Sequence, residues 1–174
     1  MMAIYPLVKN NNPLLSIPLF GVSEDADREK IKNDLIETMN NFNGIGLSAS
    51  QVGIMERVFV MYENFQKREA IACFNPKITY ESDEEIFMDE GCLSYPGLWL
   101  SIKRPFLIEV EYEDENGELI KNKFSDLEAR VFLHEYDHMQ GTNFTKRVSR
   151  LRLTRAKKRR QKQLKKSLDI SKRA

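Results

Sequence analysis

The segment HEYDH, residues 134–138, contains both histidines of this 174-residue chain and places Glu135 between them. On a helix, positions i and i+4 share a face, so His134 and His138 can bind one ion while Glu135 points toward a water beside it. This spacing indicates a hydrolytic metal site. A catalytic site of this kind uses three protein ligands and leaves the fourth position for water, so one ligand must come from elsewhere in the chain.

The two cysteines are the candidates for the third ligand. Cys92 lies in the loop EGCLSYPG, residues 90–97, and a thiolate together with two imidazoles suits zinc or another borderline transition metal. Cys73 lies in the apolar run AIACF, where a buried structural cysteine is commoner. The residues therefore favour Cys92, with Cys73 as its competitor.

The composition fits one globular domain, because 174 residues with 41% hydrophobic content can build a single core. No apolar run approaches the length of a membrane helix, and the N-terminus lacks the features of a signal peptide. We therefore expect a cytoplasmic protein, or one of the host cytoplasm if the source is viral, with no membrane contact and with free thiols.

Charge is distributed unevenly along the chain. Residues 1–145 carry 13 Lys and Arg against 25 Asp and Glu, a net charge of −12, whereas residues 146–174 carry 14 against one, a net charge of +13. This asymmetry suggests a basic appendage for an anionic surface, most commonly nucleic acid. The alternative is a solvated charge run without a partner.

The chemistry-bearing segments lie within a pattern of helix, strands, helix and tail. Helical spacing predicts a first helix from Ser23 to Gly44, a second over residues 125–141 that carries HEYDH, and a third from about Ser149. Short β-rich runs between the first two helices predict antiparallel strands beginning at Arg57, Ala70, Pro76, Glu85, Leu98, Phe106 and Glu118, the last two joined by a tight turn at residues 115–117. We predict an α+β fold in which antiparallel sheets pack around the central HExxH helix, with an N-terminal helix and a basic C-terminal helix.

Three motifs together resemble one known family. GIGLSASQVG, EGCLSYPG and HEYDHMQG occur in the order and at the separations typical of peptide deformylases, over residues 5–148. The resemblance implies a single catalytic domain over residues 1–148 and a basic tail over residues 149–174. It also implies metal-dependent hydrolysis of the N-formyl group from the formylmethionine of nascent polypeptides, with release of formate.

The resemblance assigns chemical roles by position. Cys92, His134 and His138 match the family's metal ligands, and Glu135 matches its general base and acid, as the spacing had already indicated. Two further positions match the donors that stabilise the oxyanion: the side-chain amide of Gln51 and the backbone N–H of Leu93.

Other matching positions concern the substrate. Gly44 and Gly46 fit either a plain loop after the first helix or, as the family favours, a strand-like edge along which the peptide adds as an extra strand. The methionine pocket falls on Ile45, Trp99, Leu127 and Val131, of which Trp99 can narrow the pocket.

The resemblance also implies the cofactor and partners. Ligand softness favours zinc, whereas the family commonly uses ferrous iron that zinc, nickel or cobalt replaces during purification. We expect one divalent ion per chain, Fe²⁺ in cells, and a monomer whose basic tail contacts the ribosome and its RNA.

Two departures and two rival functions accompany this interpretation. Ser48 stands where alanine is usual, and Leu133 where glutamine is common before the first histidine. A zincin-type peptidase would need another His or Glu ligand downstream, and the only acid after His138 is Asp169. An RNA-binding module with a structural metal would usually close its site with four ligands, which this set does not supply.

Overall fold

A computed structural model describes residues 3–171. These residues form three helices, seven strands and three short 3₁₀ turns, the first of which precedes the helices and strands. In chain order they are α1 (Arg28–Asn41), β1 (Gly46–Ser48), β2 (Val58–Asn64), β3 (Glu69–Glu81), β4 (Glu85–Glu90), β5 (Leu100–Pro105), β6 (Leu107–Glu113), β7 (Leu119–Ser125), α2 (Asp126–Met139) and α3 (Arg150–Ser171).

The strands form two antiparallel sheets. One has five strands in the order β1, β2, β3, β6, β7, and the other pairs β4 with β5. β1 is an edge strand, since within residues 3–171 it pairs only with β2, through Gly46 opposite Met61 and Ser48 opposite Phe59. The predicted α+β class with antiparallel sheets is confirmed.

Helix α2 contacts strands of both sheets and carries HEYDH. It begins after Ser125 and has Asp126 and Glu128 in its first turn, where negative charge suits the positive end of the helix dipole. It ends before Gly141, whose φ of +66° and close contact with the backbone of Pro18 favour glycine. Most of its side chains are buried, so the histidine-bearing face lies inside the protein.

Two predicted boundaries are wrong. The first helix begins at Arg28 rather than Ser23, because Asp27 caps it by accepting from Lys30 N while the Ser23 hydroxyl donates to Glu56 instead. No strand begins at Pro76, because β3 runs through it. The pairing of β3 with β6 shifts register between Phe74 and Lys77, and a proline without an N–H is tolerated at such a bulge.

The third helix begins at Arg150, as predicted, and its first half packs on the smaller sheet. Ala156 is buried and Leu153 half-buried against a small apolar cluster that also contains the Cys92 loop. The cluster's other buried members are Leu98, Leu100, Ile102 and Phe144. Within residues 3–171, no helix is long and apolar enough to cross a membrane.

Candidate active site

Three potential metal ligands converge from two separate parts of the fold. Cys92 follows β4, whereas His134 and His138 lie one helical turn apart on α2. Their ligand atoms all lie within 4.8 Å of one another, and Cys92 Sγ is 3.5 Å from His138 Nε2. Cys73, the competing candidate, is fully buried in the core between α2 and the large sheet, where burial raises the pKa of its thiol.

These three side chains fit a small divalent ion. With a metal–nitrogen distance of about 2.1 Å and a metal–sulfur distance of about 2.3 Å, tetrahedral ligands lie about 3.5 Å apart. The separation of Cys92 Sγ and His138 Nε2 agrees with that geometry. Two nitrogens and one sulfur also leave one coordination position open, as a catalytic site requires.

Glu90 fixes the orientation of His134. Its Oε2 lies 2.9 Å from His134 Nδ1, which leaves Nε2 of that ring for an ion. The Glu90 carboxylate also accepts hydrogen bonds from Arg104 Nε at 2.7 Å and from Arg130 Nη1 at 2.8 Å. Arg104 in turn pairs with Asp137 at 2.9 Å, so a buried ionic network supports the ligand helix.

Burial and charge shift the pKa values of these groups. Burial raises the pKa of Glu90, but its hydrogen bonds with His134 and Arg104 outweigh that effect and hold the pKa well below its usual range. Burial lowers the pKa of His134, but hydrogen bonds with Cys92 and Glu90 outweigh it and raise that pKa to about 10. Burial lowers the pKa of His138 to about 3, and the charges of His134 and Arg104 act in the same direction.

Glu135 lies between the two histidines and faces β1. The residue is 4% exposed, and burial raises the pKa of its carboxyl group. Ser48 Oγ donates to Glu135 Oε2 at 2.7 Å. A Cβ atom on Gly46 would lie 2.6 Å from Glu135 Oε1 and 2.8 Å from Val131 Cγ1, so glycine is needed here for close approach of strand and helix.

Two hydrogen-bond donors lie beside Cys92. Ser48 N donates to Gln51 Oε1 at 2.9 Å, which turns Gln51 Nε2 toward Ser94 Oγ, at 3.1 Å, and toward Cys92 Sγ, at 3.4 Å. The Leu93 N–H has no protein acceptor among residues 3–171, so it is available to a ligand. Both donors therefore lie at the Cys92 side of the site.

A pocket of about 630 Å³ opens in front of these groups. Of the twelve residues to which the sequence gave site roles, all but His138 line it, and His138 is 1% exposed. Trp99 lies at the rim, 61% exposed, with its ring against Gly91. The other predicted residues at the pocket are Gly44, Ile45, Gly46, Gln51, Cys92, Leu93, Leu127, Val131, His134 and Glu135.

Sequence reasoning missed the supporting groups. Glu90 lies two residues before Cys92 in the motif EGCLSYPG, so that proximity was the available signal, whereas Arg104 meets Glu90 and Asp137 only through tertiary contacts. The role of Ser94 also needed the structure. Phe42 and Leu7 line the pocket without any sequence signal that separates them from ordinary apolar residues.

Comparisons with known proteins identify the family of the chain. The sequence model of the family described as polypeptide deformylase matches residues 4–154. A peptide deformylase of Thermodesulfovibrio yellowstonii is 38% identical over 154 residues, which cover 87% of this chain and 93% of that protein.

Solved structures give the same result. The crystal structure of a peptide deformylase from Legionella pneumophila has a TM-score of 0.85 at 29% identity, covering 95% of this chain and 98% of that one. A Met-Ala-Ser-bound class I type b peptide deformylase from Acinetobacter baumannii has a TM-score of 0.78 at 28% identity, covering 85% and 100%. The resemblance of the three motifs is therefore confirmed, and this chain belongs to the polypeptide deformylase family of metal-dependent hydrolases.

Proposed function

We propose that this protein hydrolyses the N-formyl group of formylmethionyl nascent peptides and releases formate, with the residues of the pocket in the roles below. The observation that carries the proposal is the convergence of Cys92, His134 and His138 beside the Glu135 carboxylate and the Gln51 amide, on one open pocket. The peptidase alternative lacks a further ligand after His138, and the open coordination position argues against a purely structural metal.

Cys92, His134 and His138 would hold one divalent ion. Such an ion lowers the pKa of a water molecule and polarises the formyl carbonyl. The donor set accommodates Fe²⁺, Zn²⁺, Ni²⁺ and Co²⁺, and we propose Fe²⁺ in cells. Glu90 keeps the His134 ring in the tautomer that presents Nε2 to the ion.

Glu135 carries the proton between the reactants. Its carboxylate takes a proton from the attacking water and later gives it to the leaving amine as the C–N bond breaks. Burial, which raises the pKa of this group, brings it closer to the operating pH of such a base. The glycine at position 46 lets the carboxylate reach the substrate side of β1.

Gln51 and Leu93 would stabilise the negative charge that develops on the formyl oxygen. The Gln51 amide is held by its bond from Ser48 N, so Nε2 is oriented before substrate arrives. The Leu93 N–H approaches the same region from the Cys92 loop. Two neutral donors preorganised in this way stabilise the oxyanion more than the neutral carbonyl.

The peptide would add as a strand beside Gly44, Ile45 and Gly46, where Gly46 is the first residue of β1. β1 pairs with β2 on one side only, and its other side faces the pocket. Main-chain hydrogen bonds along an edge strand tolerate varied side chains, as an enzyme for many nascent chains requires. The Met-Ala-Ser bound to the Acinetobacter baumannii protein supports a short methionyl peptide as the ligand class.

Apolar side chains would hold the methionine. Leu127 and Val131 project from α2 and Ile45 from the substrate edge, while Trp99 closes the rim. Removing the ring in Trp99→Ala should change the preference for methionine over smaller residues at the first position. An unchanged preference would exclude Trp99 from the pocket's selectivity.

The test of the main proposal is formate release from formyl-Met-Ala-Ser by protein prepared without oxygen, with metal content measured on each variant. We expect release by the wild type, retention of metal but loss of activity in Glu135→Ala, and loss of metal in Cys92→Ala. Cys73→Ala is the matched control and should keep both the metal ion and the formate-releasing activity. A wild type that holds one ion per chain and releases no formate would overturn the proposal.

We also propose that residues 1–148 form the catalytic domain and that residues 149–174 serve as a basic contact for the ribosome and its RNA. Lys157, Lys158 and Arg159 are exposed on α3 and available for phosphate contacts. Changing all three to Gln should weaken pelleting with ribosomes. The slope of log affinity against log salt concentration should become shallower by about 0.7–0.9 for each phosphate contact that is lost. Pelleting equal to wild type would exclude this contact.

The same protein is proposed to act as a monomer in the cytoplasm, or in the host cytoplasm if the source is viral. Light scattering at the concentration used for the formate assay should give the mass of one chain, 20.4 kDa. A measured mass equal to two chains would overturn the proposal that the protein is a monomer.

A further inference from the structure

Ser48 occupies a position between the two groups that the reaction needs. It is the last residue of β1, has no exposed surface, and lies opposite Phe59 on the neighbouring strand. Its backbone N–H donates to Gln51 Oε1 and its hydroxyl to Glu135 Oε2, so one residue contacts both the oxyanion donor and the general base.

The hydroxyl is the part of this link that depends on residue type. Any residue except proline would supply the N–H to Gln51, but only a side chain with a hydrogen-bond donor can donate to the Glu135 carboxylate. The hydroxyl carries one proton, and the 2.7 Å distance to Glu135 Oε2 favours that acceptor over the Glu135 carbonyl oxygen at 3.2 Å. Within residues 3–171, no other protein group donates to this carboxylate.

The two carboxylate oxygens therefore have different surroundings. Oε2 accepts from Ser48, whereas Oε1 lies 2.6 Å from the point where a Gly46 Cβ would be. A charge-assisted hydrogen bond of this length restricts rotation of the carboxylate about its last torsion. Oε1 accepts from no protein donor within residues 3–171, and the Glu135 side chain lines the pocket, so Oε1 is the oxygen left for the reacting groups.

We propose that Ser48 is a positioning residue that holds Glu135 Oε2 and reserves Oε1 for the proton transferred during deformylation. As the water oxygen bonds to the formyl carbon, one water O–H breaks and Oε1 takes the proton. As the C–N bond breaks, its electron pair passes to nitrogen, which takes that proton from Oε1. This inference rests on the proposed role of Glu135 as the base.

The test is the steady-state kinetics of Ser48→Ala beside Ser50→Ala. Ser50 is the matched control, since it is equally buried two residues away and its hydroxyl has no hydrogen-bond partner in residues 3–171. We expect Ser48→Ala to lower kcat about tenfold with KM within about twofold, the pattern of an interaction that acts on the chemical step. Ser50→Ala should leave both constants near wild type, and both variants should keep one metal ion per chain.

A second comparison shows whether the hydroxyl acts through Glu135. With enzyme in excess over substrate, Ser48→Ala should have no further effect on the residual rate of Glu135→Ala. The proposal fails if Ser48→Ala has the same kcat as Ser50→Ala. It also fails if Ser48→Ala lowers the rate by the same factor in the wild-type chain and in the Glu135→Ala chain. A Glu135→Ala chain as fast as wild type would instead overturn the assignment of the base, and this proposal with it.

Discussion

At Gly46, strand β1 approaches helix α2 closely. In Gly46→Ala the new Cβ would fall within 3 Å of Glu135 and Val131, so the base must move or β1 must retreat. A displacement of about 1 Å in a reacting group can cost about 10²-fold in rate, and we expect a loss of that order in kcat/KM. The measurement is formate release, with thermal unfolding as the check on the fold.

Gly21→Ala is the control for Gly46→Ala. A Cβ there meets no atom within 4 Å, so Gly21→Ala should retain wild-type kinetics. Equal kcat/KM in the two variants would mean that the close approach at position 46 is not needed for catalysis.

A second prediction for a single residue concerns Glu90, which should affect both stability and metal affinity. Glu90→Gln removes a negative charge that Arg104, Arg130 and His134 all contact in the interior. Unpaired buried charge costs about 3–5 kcal/mol in the free energy of unfolding, and loss of a partner to a metal-ligating histidine costs about 10–100-fold in metal affinity. Competition with a chelator and denaturant unfolding measure the two effects.

Glu85→Gln on the same strand is the control for Glu90→Gln. Glu85 pairs with Lys103 at the surface, and such a pair contributes at most about 1 kcal/mol. We therefore expect no change in metal affinity. If Glu90→Gln binds metal as tightly as Glu85→Gln, Glu90 does not position the His134 ring.

Local spacing explains which site residues could be predicted from the sequence. His134, Glu135 and His138 fall on one helical face, and Cys92 was the cysteine outside an apolar run. The hydroxyl of Ser48 could not be assigned to Glu135, because the bond spans 87 positions and depends on how β1 packs against α2. Contacts of this kind are set by the tertiary fold.

At the scale of elements, α3 is anchored by its first half. Ala156 is 5% exposed against the cluster that includes the Cys92 loop, whereas its neighbour Lys157 is exposed. Ala156→Gln overpacks this contact, and we expect a loss of about 1–3 kcal/mol in the free energy of unfolding. For a chain of this size each kcal/mol lowers Tm by about 2–4 °C.

Lys157→Gln introduces the same side chain on the solvent side of α3. It should leave Tm and metal affinity unchanged, while Ala156→Gln should weaken both, because the packed cluster includes Cys92. Indistinguishable melting curves would show that the helix does not support the ligand loop.

The order of elements could be predicted better than their boundaries. Periodicity identified all three helices and the hairpin at residues 115–117, where Gly117 has a φ of +82°. Periodicity did not identify β1 as a strand, because three residues that include a glycine show too little alternation of apolar and polar side chains. It divided β3 at Pro76, because a bulge that tolerates proline in a paired strand is not visible in the sequence.

At the scale of the whole molecule, one carboxylate links the start of the described chain to α1. Asp34 is 2% exposed, accepts from Ala3 N at 2.8 Å and from the Tyr5 hydroxyl at 3.3 Å, and pairs with Lys30. Burial raises the pKa of Asp34, but the hydrogen bonds from Lys30 and Ala3 outweigh it, so the pKa is lowered in the folded state.

A lowered folded pKa makes the stabilisation by Asp34 depend on pH. The contribution is present above the unfolded pKa of about 3.9 and is lost as pH falls through the lower folded value. Asp34→Asn should therefore be less stable than wild type at pH 7, with a gap that narrows below about pH 4. Urea unfolding at pH 7, 5, 4 and 3 measures the gap, and the exposed Asp83→Asn should show almost none. A gap that stays constant across this range would mean that the Asp34 contacts stabilise the fold without their charge.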